Sequence, residues 1–461
     1  MYFKTKTVFE PFRIKSIEPI PMLTIDERKE IIAKANFNLF TVPARQVTFD
    51  FLTDSGTGAM SAEQWAGVMR GDESYAGSTS FEKFEKSIQN LTGMEFVVPT
   101  HQGRASETLL MKAMVKAGQV VIGNTHFDTT RANIETSGAE ALDMPSPSNK
   151  VSQEESPFKG NIDLDTLSSY LKKNASKVAC VIMTVTNNSV GGQPVSMENI
   201  RESKKIAKAH DVPFFLDCAR FAENAYFIKI REAGFEKRTV LSIAQEMFSY
   251  ADGALMSMKK DAFGNIGGFL TVRDEKLAQA IRSLMVITEG FPTYGGLAGR
   301  DLEALSIGLE EIVDENYLEY RIRSTAYLGE GIEAAGLSTV KPFGGHAIYI
   351  DAAQSLPNIP LSKFPGQALS VALYEYIGLR SVEVGSVMLG KKDASGKEIP
   401  APKELVRLAI PRRVYTQSHV DYILEVLRKI KPYLNDLPGY AFTYEAPVLR
   451  HFTAKFKQVK R

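Results

Sequence analysis

The residues best suited to chemistry stand at the ends of two neighbouring apolar runs. PFFLD (213–217) ends in Asp217, with Arg220 three positions on in DCAR, and GALMSMKK (253–260) ends in Ser257, Lys259 and Lys260. In an open sheet of parallel strands, ligands bind at the carboxyl ends of the strands. An acid and two lysines at such ends suit pyridoxal phosphate (PLP). That cofactor needs a lysine for its Schiff base and a buried acid that keeps its pyridine nitrogen protonated, so that the ring takes up the electrons of a carbanion. Taken singly, Asp217 serves as well as a helix cap, and a Lys-Lys pair is more often surface charge. The combination makes the chemical reading competitive.

Other stretches fit the same chemistry without proving it. THQGR (100–104), between an apolar strand and a helix, offers backbone N–H groups at Gln102 and Gly103 and the charge of Arg104 to a phosphate; most glycine loops before helices bind nothing. NNSVGGQP (187–194) follows the strongest apolar run and is either a plain turn or a loop whose asparagine reaches the cofactor's phenolic oxygen, as the arginine of DCAR also could. DSGTG (54–58) looks like an aspartic-protease signature, but that chemistry needs two facing carboxylates and no second such motif occurs. Walker A, serine-hydrolase elbow, zincin helix and spaced Rossmann glycines are also missing, which argues against an NTPase, a hydrolase, a zinc peptidase and an NAD enzyme.

These residues have to be positioned by a doubly wound α/β sheet. Strands are expected at 96–100, 119–123, 178–186, 213–217, 253–257 and 267–272, mostly continuous in Val, Ile, Leu, Phe and Met as strands covered on both faces should be. Helices are expected at 105–117, closed by Gly118, and from a Ser196 cap to His210. After Tyr294-Gly295-Gly296 the text turns helical (300–335), followed by strand-like HAIYID (346–351) and LVRLAI (405–410), which reads as a smaller α+β domain. Residues before 56 are expected to pack onto that later domain, and the basic end (455–461) to be a solvated tail.

Bulk composition narrows the partners. With 461 residues and 44% hydrophobic content the chain can bury large cores, and 55 basic against 54 acidic residues leave a net charge of +1. No field would recruit nucleic acid or an anionic membrane, so a small-molecule partner is expected. Two cysteines, Cys180 and Cys218, each in an apolar run, build neither a disulfide framework nor a zinc cluster. The first residues show no apolar leader and no run is long enough to span a bilayer, so a cytoplasmic protein in a reducing compartment is expected.

Nearly end to end, the chain resembles the β-eliminating lyases, a family of fold type I PLP enzymes with tryptophan-cleaving and tyrosine-cleaving branches. The resemblance rests on EPFRIKSIEP (10–19), LTDSGTGAMS (52–61), GDESYAGS (71–78), PTHQGR (99–104), GGQPVS (191–196), DCARFAENAYFIK (217–229), MFSYADG (247–253), EGFPTYGGLAGRD (289–301) and LRHFTAKF (449–456). It implies a large PLP-binding domain (56–310) with a mostly parallel seven-stranded sheet, a small C-terminal domain (311–461), and an N-terminal arm (1–55) that joins the small domain.

The resemblance also assigns roles. Lys260 carries the internal aldimine and then removes the Cα proton, yielding a quinonoid; Asp217 holds the pyridinium; Arg220 and Asn188 contact the ring hydroxyl. Gln102, Gly103, Arg104, Ser257 and Lys259 bind the phosphate region, and Phe127 stacks on the ring. Arg407 clamps the substrate carboxylate in the bidentate manner of a guanidinium, with Thr53 beside the substrate. Glu73, Gly56 and Asn265 match the positions that hold a monovalent cation, usually potassium. Tyr75 and Tyr294 match residues that cross between subunits, which implies a homotetramer with shared active sites, and Tyr75 is a candidate proton donor.

Three positions separate the branches. Val384 stands where the tyrosine-cleaving branch has an arginine for the phenolic oxygen, Asp128 replaces a threonine and suits an indole N–H, and His451 replaces a phenylalanine. All three fall on the side of L-tryptophan cleavage to indole, pyruvate and ammonium. A lyase preferring tyrosine or S-alkyl cysteine is the alternative.

Overall fold

The computed structural model describes residues 9–150, 152–393, 398–447 and 449–461. Residues 1–8, part of the segment scanned for a leader, lie outside these. Two compact units result, Ser55–Ile322 and a second made of Met1–Asp54 with Arg323–Arg461. The division falls inside the helix Glu315–Ala334 rather than at 310/311.

The larger unit is built on seven strands. In chain order they are β1 (Phe96–Thr100), β2 (Val120–Gly123), β3 (Glu140–Asp143), β4 (Val178–Thr184), β5 (Phe214–Asp217), β6 (Gly253–Ser257) and β7 (Gly268–Val272), arranged β1-β7-β6-β5-β4-β2-β3 across the sheet. Only β7 runs antiparallel to its neighbours; the other pairings are parallel. Strands β5, β6 and β7 are buried along their whole length, as near-continuous apolar text requires. The strand absent from the sequence reading is β3, whose residues EALD have little β preference; it forms because it lies at the sheet edge, where its outward Glu140 stays in water.

Two helix ends also differ from expectation. The helix after β1 starts at Gly103, as α1 (Gly103–Met114), because Gln102 already has extended N-cap geometry. It ends at Met114, since Val115 turns extended, and Gly118 (φ +79°) instead makes the left-handed turn before β2. The Ser196-capped helix, Met197–Lys208, does begin with the Ser196 side chain accepting from the Asn199 N–H.

In the smaller unit β8 (Ala347–Asp351), β9 (Val382–Val384) and β10 (Leu405–Ala409) form an antiparallel sheet in the order β9-β10-β8. The short strand Phe49–Asp50 pairs in parallel with Leu379–Arg380, and Asp50 is bound by the Arg380 guanidinium, so the chain before residue 55 belongs to this unit. The basic end is not a frayed tail: Lys455–Val459 pairs with Gly439–Tyr444, and Phe456 is buried beside Phe442. Within KFKQV only Phe456 is buried, with exposed lysines on either side, so the pairing with Gly439–Tyr444 and not an apolar face holds this end in place.

Candidate active site

Parallel strands put their carboxyl ends on one edge of the sheet, and the candidate residues of the larger unit collect there. Asp217 closes β5 in register with Thr184 of β4 and Leu255 of β6. It is buried, which raises its carboxyl above the usual range; the Lys260 ammonium, the Ala219 N–H, Arg220 and the Thr184 hydroxyl each pull it back down. A buried acid stabilised by a nearby cation is the arrangement a protonated pyridine needs. Lys260 follows Ser257 and Lys259 in a turn closed by the Phe263 N–H donating to the Lys260 carbonyl at 3.0 Å.

Neighbouring groups fix that turn. The Asp261 carboxylate accepts from Ala222 N–H at 2.9 Å and so caps α3 (Phe221–Arg231), the helix that Arg220 precedes. Asn188 lies in a turn after β4, whose Gly191 and Gly192 both need the left-handed region (φ +94° and +69°). The Asn224 side chain accepts from Thr186 and Val195 N–H groups at 3.0 and 2.9 Å, which ties this loop to α3. Asp261 and Asn224 escaped the sequence reading, although Asp261 adjoins Lys260 in the chain.

The phosphate candidates converge around the start of α1. Gly103 lies so close to β6 that an added Cβ would stand 2.7 Å from Ser257 Cβ, so only glycine lets the helix N-terminus reach this depth. Lys259 Nζ donates to Gln102 Oε1 at 3.2 Å, and burial together with the nearby Arg104 charge holds the Lys259 ammonium below its ordinary range. Two cations drawn together at a helix start fit a dianionic phosphate. Phosphate cradle, buried acid and lysine thus fit PLP as a set.

Phe127 is the N-cap of α2 (Asp128–Thr136), and Asp128 opens that helix with its carboxylate accepting the Thr129 N–H at 2.6 Å. The corner is held from behind by His126, whose ring Nδ1 lies 2.7 Å from Asp143, itself bound by Arg131. Glu107 on α1, unnoticed in the sequence, is buried and accepts from Thr130 Oγ1 at 3.0 Å; burial and the Asp217 charge push its carboxyl up to about 7.

The cation candidates divide. The Asn265 side-chain N–H donates to the Gly56 carbonyl at 3.0 Å, and a Cβ on Gly56 would stand 3.1 Å from the Asn265 carbonyl oxygen. Glu73 instead accepts from the Gly299 N–H and from Arg300, both at 3.2 Å. Tyr75 is 67% exposed and stacks on Phe291, with Tyr294 alongside, so these aromatics form a surface cluster.

The smaller unit carries the remaining candidates. Arg407 sits in β10 opposite Val382 and Tyr349 and donates to the Leu52 carbonyl at 3.0 Å, one residue before Thr53. Val384 is buried in an apolar cluster with Val382, Tyr349 and Leu405, against which Phe40, Leu52 and Met388 pack. His451 is buried, its ring 5.6 Å from that of Phe40; burial, then the Arg407 charge, hold it down to about 4, so the ring is neutral at pH 7. Arg412 and His346 have structural surroundings, Arg412 in a buried ion pair with Asp54 at 2.9 Å and His346 beside the Tyr349 hydroxyl.

A mostly parallel seven-stranded sheet with an acid at one strand end and a lysine in the turn after the next strand defines the class as a fold type I α/β protein. The same fold recurs in a serine palmitoyltransferase from S. paucimobilis with a bound PLP–myriocin aldimine, at TM-score 0.59 and 14% identity over 89% of this chain and 97% of that one. The β-eliminating lyase family model matches residues 50–425. A tryptophanase of Hyphomonas neptunium is 53% identical over 98% of this chain and all of its own length, and a tyrosine phenol-lyase of Pasteurella multocida is 45% identical over 97% and 98%. The chain belongs to the β-eliminating lyase family. No helix among the described residues is long and apolar enough to cross a membrane.

Proposed function

We propose that this chain is a PLP-dependent lyase that converts L-tryptophan and water to indole, pyruvate and ammonium. The observation that carries the reading is Asp217 buried within the field of Lys260 at the ends of adjoining strands, backed by the Gly103 cradle with Lys259 and Arg104. When bound there, the cofactor supplies an electron sink for the pair left at Cα. Lys260 anchors it and, once released by substrate, takes the Cα proton. Asp217 holds the ring nitrogen protonated, Asn188 and Arg220 hold the ring hydroxyl, and Phe127 packs on the ring face. Arg407, with Thr53 next to it, binds the substrate carboxylate. Asp128 accepts the indole N–H, and Tyr75, or a group relayed through Asp128, delivers the proton to C3 on which departure of indole depends.

Leaving-group choice rests on Val384. Its apolar surroundings suit indole and offer no charge to a phenolate, which sets tryptophan above tyrosine despite the 45% identical tyrosine phenol-lyase. A monovalent cation, potassium, would be held by Gly56, Asn265 and Glu73, and the exposed Tyr75 cluster would meet a second copy in a homotetramer. Indole release from L-tryptophan, compared for wild type and Lys260→Ala with PLP and potassium present, tests the proposal. Indole lost only in the variant supports it; a cofactor band without indole moves the substrate elsewhere.

A further inference from the structure

The turn behind Val384 holds two buried acids, Glu383 and Glu404, 5% and 2% exposed. Glu383 lies in β9 and Glu404 immediately precedes β10; a Cβ on Gly385 would stand 2.6 Å from Glu383 Oε1 and 2.7 Å from Glu404 Oε2, so the two carboxyls face each other across that glycine. Both are spent on one helical turn, Ser386–Leu389. Glu383 accepts from the Val387 and Met388 N–H groups, each at 3.0 Å. Glu404 Oε1 accepts from the Ser386 N–H at 2.8 Å and from the Ser386 hydroxyl, whose oxygen in turn accepts the Ala401 N–H at 2.9 Å.

Charge around the pair does not neutralise it. Asp351 adds further negative potential at Glu404, and Lys403 is itself held below its ordinary range by burial. Arg450 reaches the Ser386 and Val387 carbonyls, but its guanidinium is paired with Glu398 and Glu445. Glu404 Oε2 is buried without a close hydrogen-bond partner, although the Gly366 N–H also acts on this carboxyl, and the oxygen that faces Glu383 across Gly385 is where a shared proton belongs. Burial and the facing carboxyl push Glu383 up to about 8, and burial raises Glu404 too.

We propose that Glu383 and Glu404, holding one proton between them, are positioning residues that set the leaving-group preference by locking the Ser386–Leu389 turn and with it Val384 and Met388. This rests on Val384 being the leaving-group wall. The second carboxylate charge, formed as the proton leaves, repels the first across Gly385 and loosens the turn; a small leaving group does not feel the change.

The test measures kinetics of the holoenzyme from pH 6.5 to 9.5 with L-tryptophan and with S-methyl-L-cysteine. KM for tryptophan should rise about tenfold across the range while that for S-methyl-L-cysteine stays level, a difference on the scale of one lost apolar contact. Glu404→Gln should flatten the tryptophan profile, and Glu383→Gln should do so by a second route. Infrared difference spectra of the wild type should show a protonated carboxyl band that titrates near pH 8 and is missing in Glu404→Gln. An unaltered tryptophan profile in both variants, or no such band, overturns the proposal. Turnover of S-methyl-L-cysteine without tryptophan would instead count against the tryptophan reading, and the infrared band then decides on the pair by itself.

Discussion

At the scale of residues, three side chains carry most of the argument. Lys260→Ala should reduce indole formation by about 10²–10⁴-fold, the range expected for loss of a positioned general base, measured by single-turnover release with added PLP. Tyr75→Phe separates the two candidates for the C3 proton: a comparable loss with tryptophan but not with S-methyl-L-cysteine assigns the donor to Tyr75, and full activity leaves the group relayed through Asp128. Glu107 adds a pH signature. Its carboxyl is raised to about 7, so the folded state binds its proton more tightly than the unfolded chain. The contribution is fully present below pH 4.5 and is lost as pH rises through 7, about 3 kcal/mol at most. Melting temperature should therefore fall over that interval in the wild type and fall less in Glu107→Gln.

Elements hold these residues by close approach rather than by flexibility. Helix α1 can rest its first turn on β6 only because position 103 has no Cβ, and the 2.7 Å separation from Ser257 Cβ leaves no room for one. Gly103→Ala should push α1 off the strand end at a cost of about 1–3 kcal/mol, and should weaken PLP binding more than it weakens stability, read by cofactor titration beside thermal melts. The loop 187–194 is held differently, through the Asn224 side chain, whose oxygen and nitrogen bind Thr186, Val195 N–H and the Val195 carbonyl. Its glycines, Asn188 and length were legible in the chain, whereas its partner on α3 was not, because a side-chain amide thirty-odd positions away leaves no local pattern.

At the scale of the whole molecule the predictions concern what binds from outside. Replacing potassium with a bulky organic cation should lower turnover and be reversed by potassium, since the Gly56 and Asn265 carbonyls suit a hard ion. If Tyr75 serves the site of a second copy, mixing Tyr75→Phe with Lys260→Ala subunits should restore activity that neither homomer has. Mixtures that stay inactive after subunit exchange would show that each site is complete within one chain.

The sequence by itself determined the covered strands, whose apolar runs reappear as β1, β2, β4, β5, β6 and β7, and it placed Asp217 and Ser257 at strand ends; Lys260 falls in the turn after β6. Those are local facts: period, propensity and punctuation act over a few residues. Tertiary structure alone decided the edge strand β3, the pairing of Lys455–Val459, the buried Glu107 and the facing carboxyls of Glu383 and Glu404. Each depends on which distant segment lies alongside, and burial then changes what a group does. A glutamate in the text of a helix or a strand reads as a solvated charge, and only the protein packed around it turns it into an acid that keeps its proton near neutral pH.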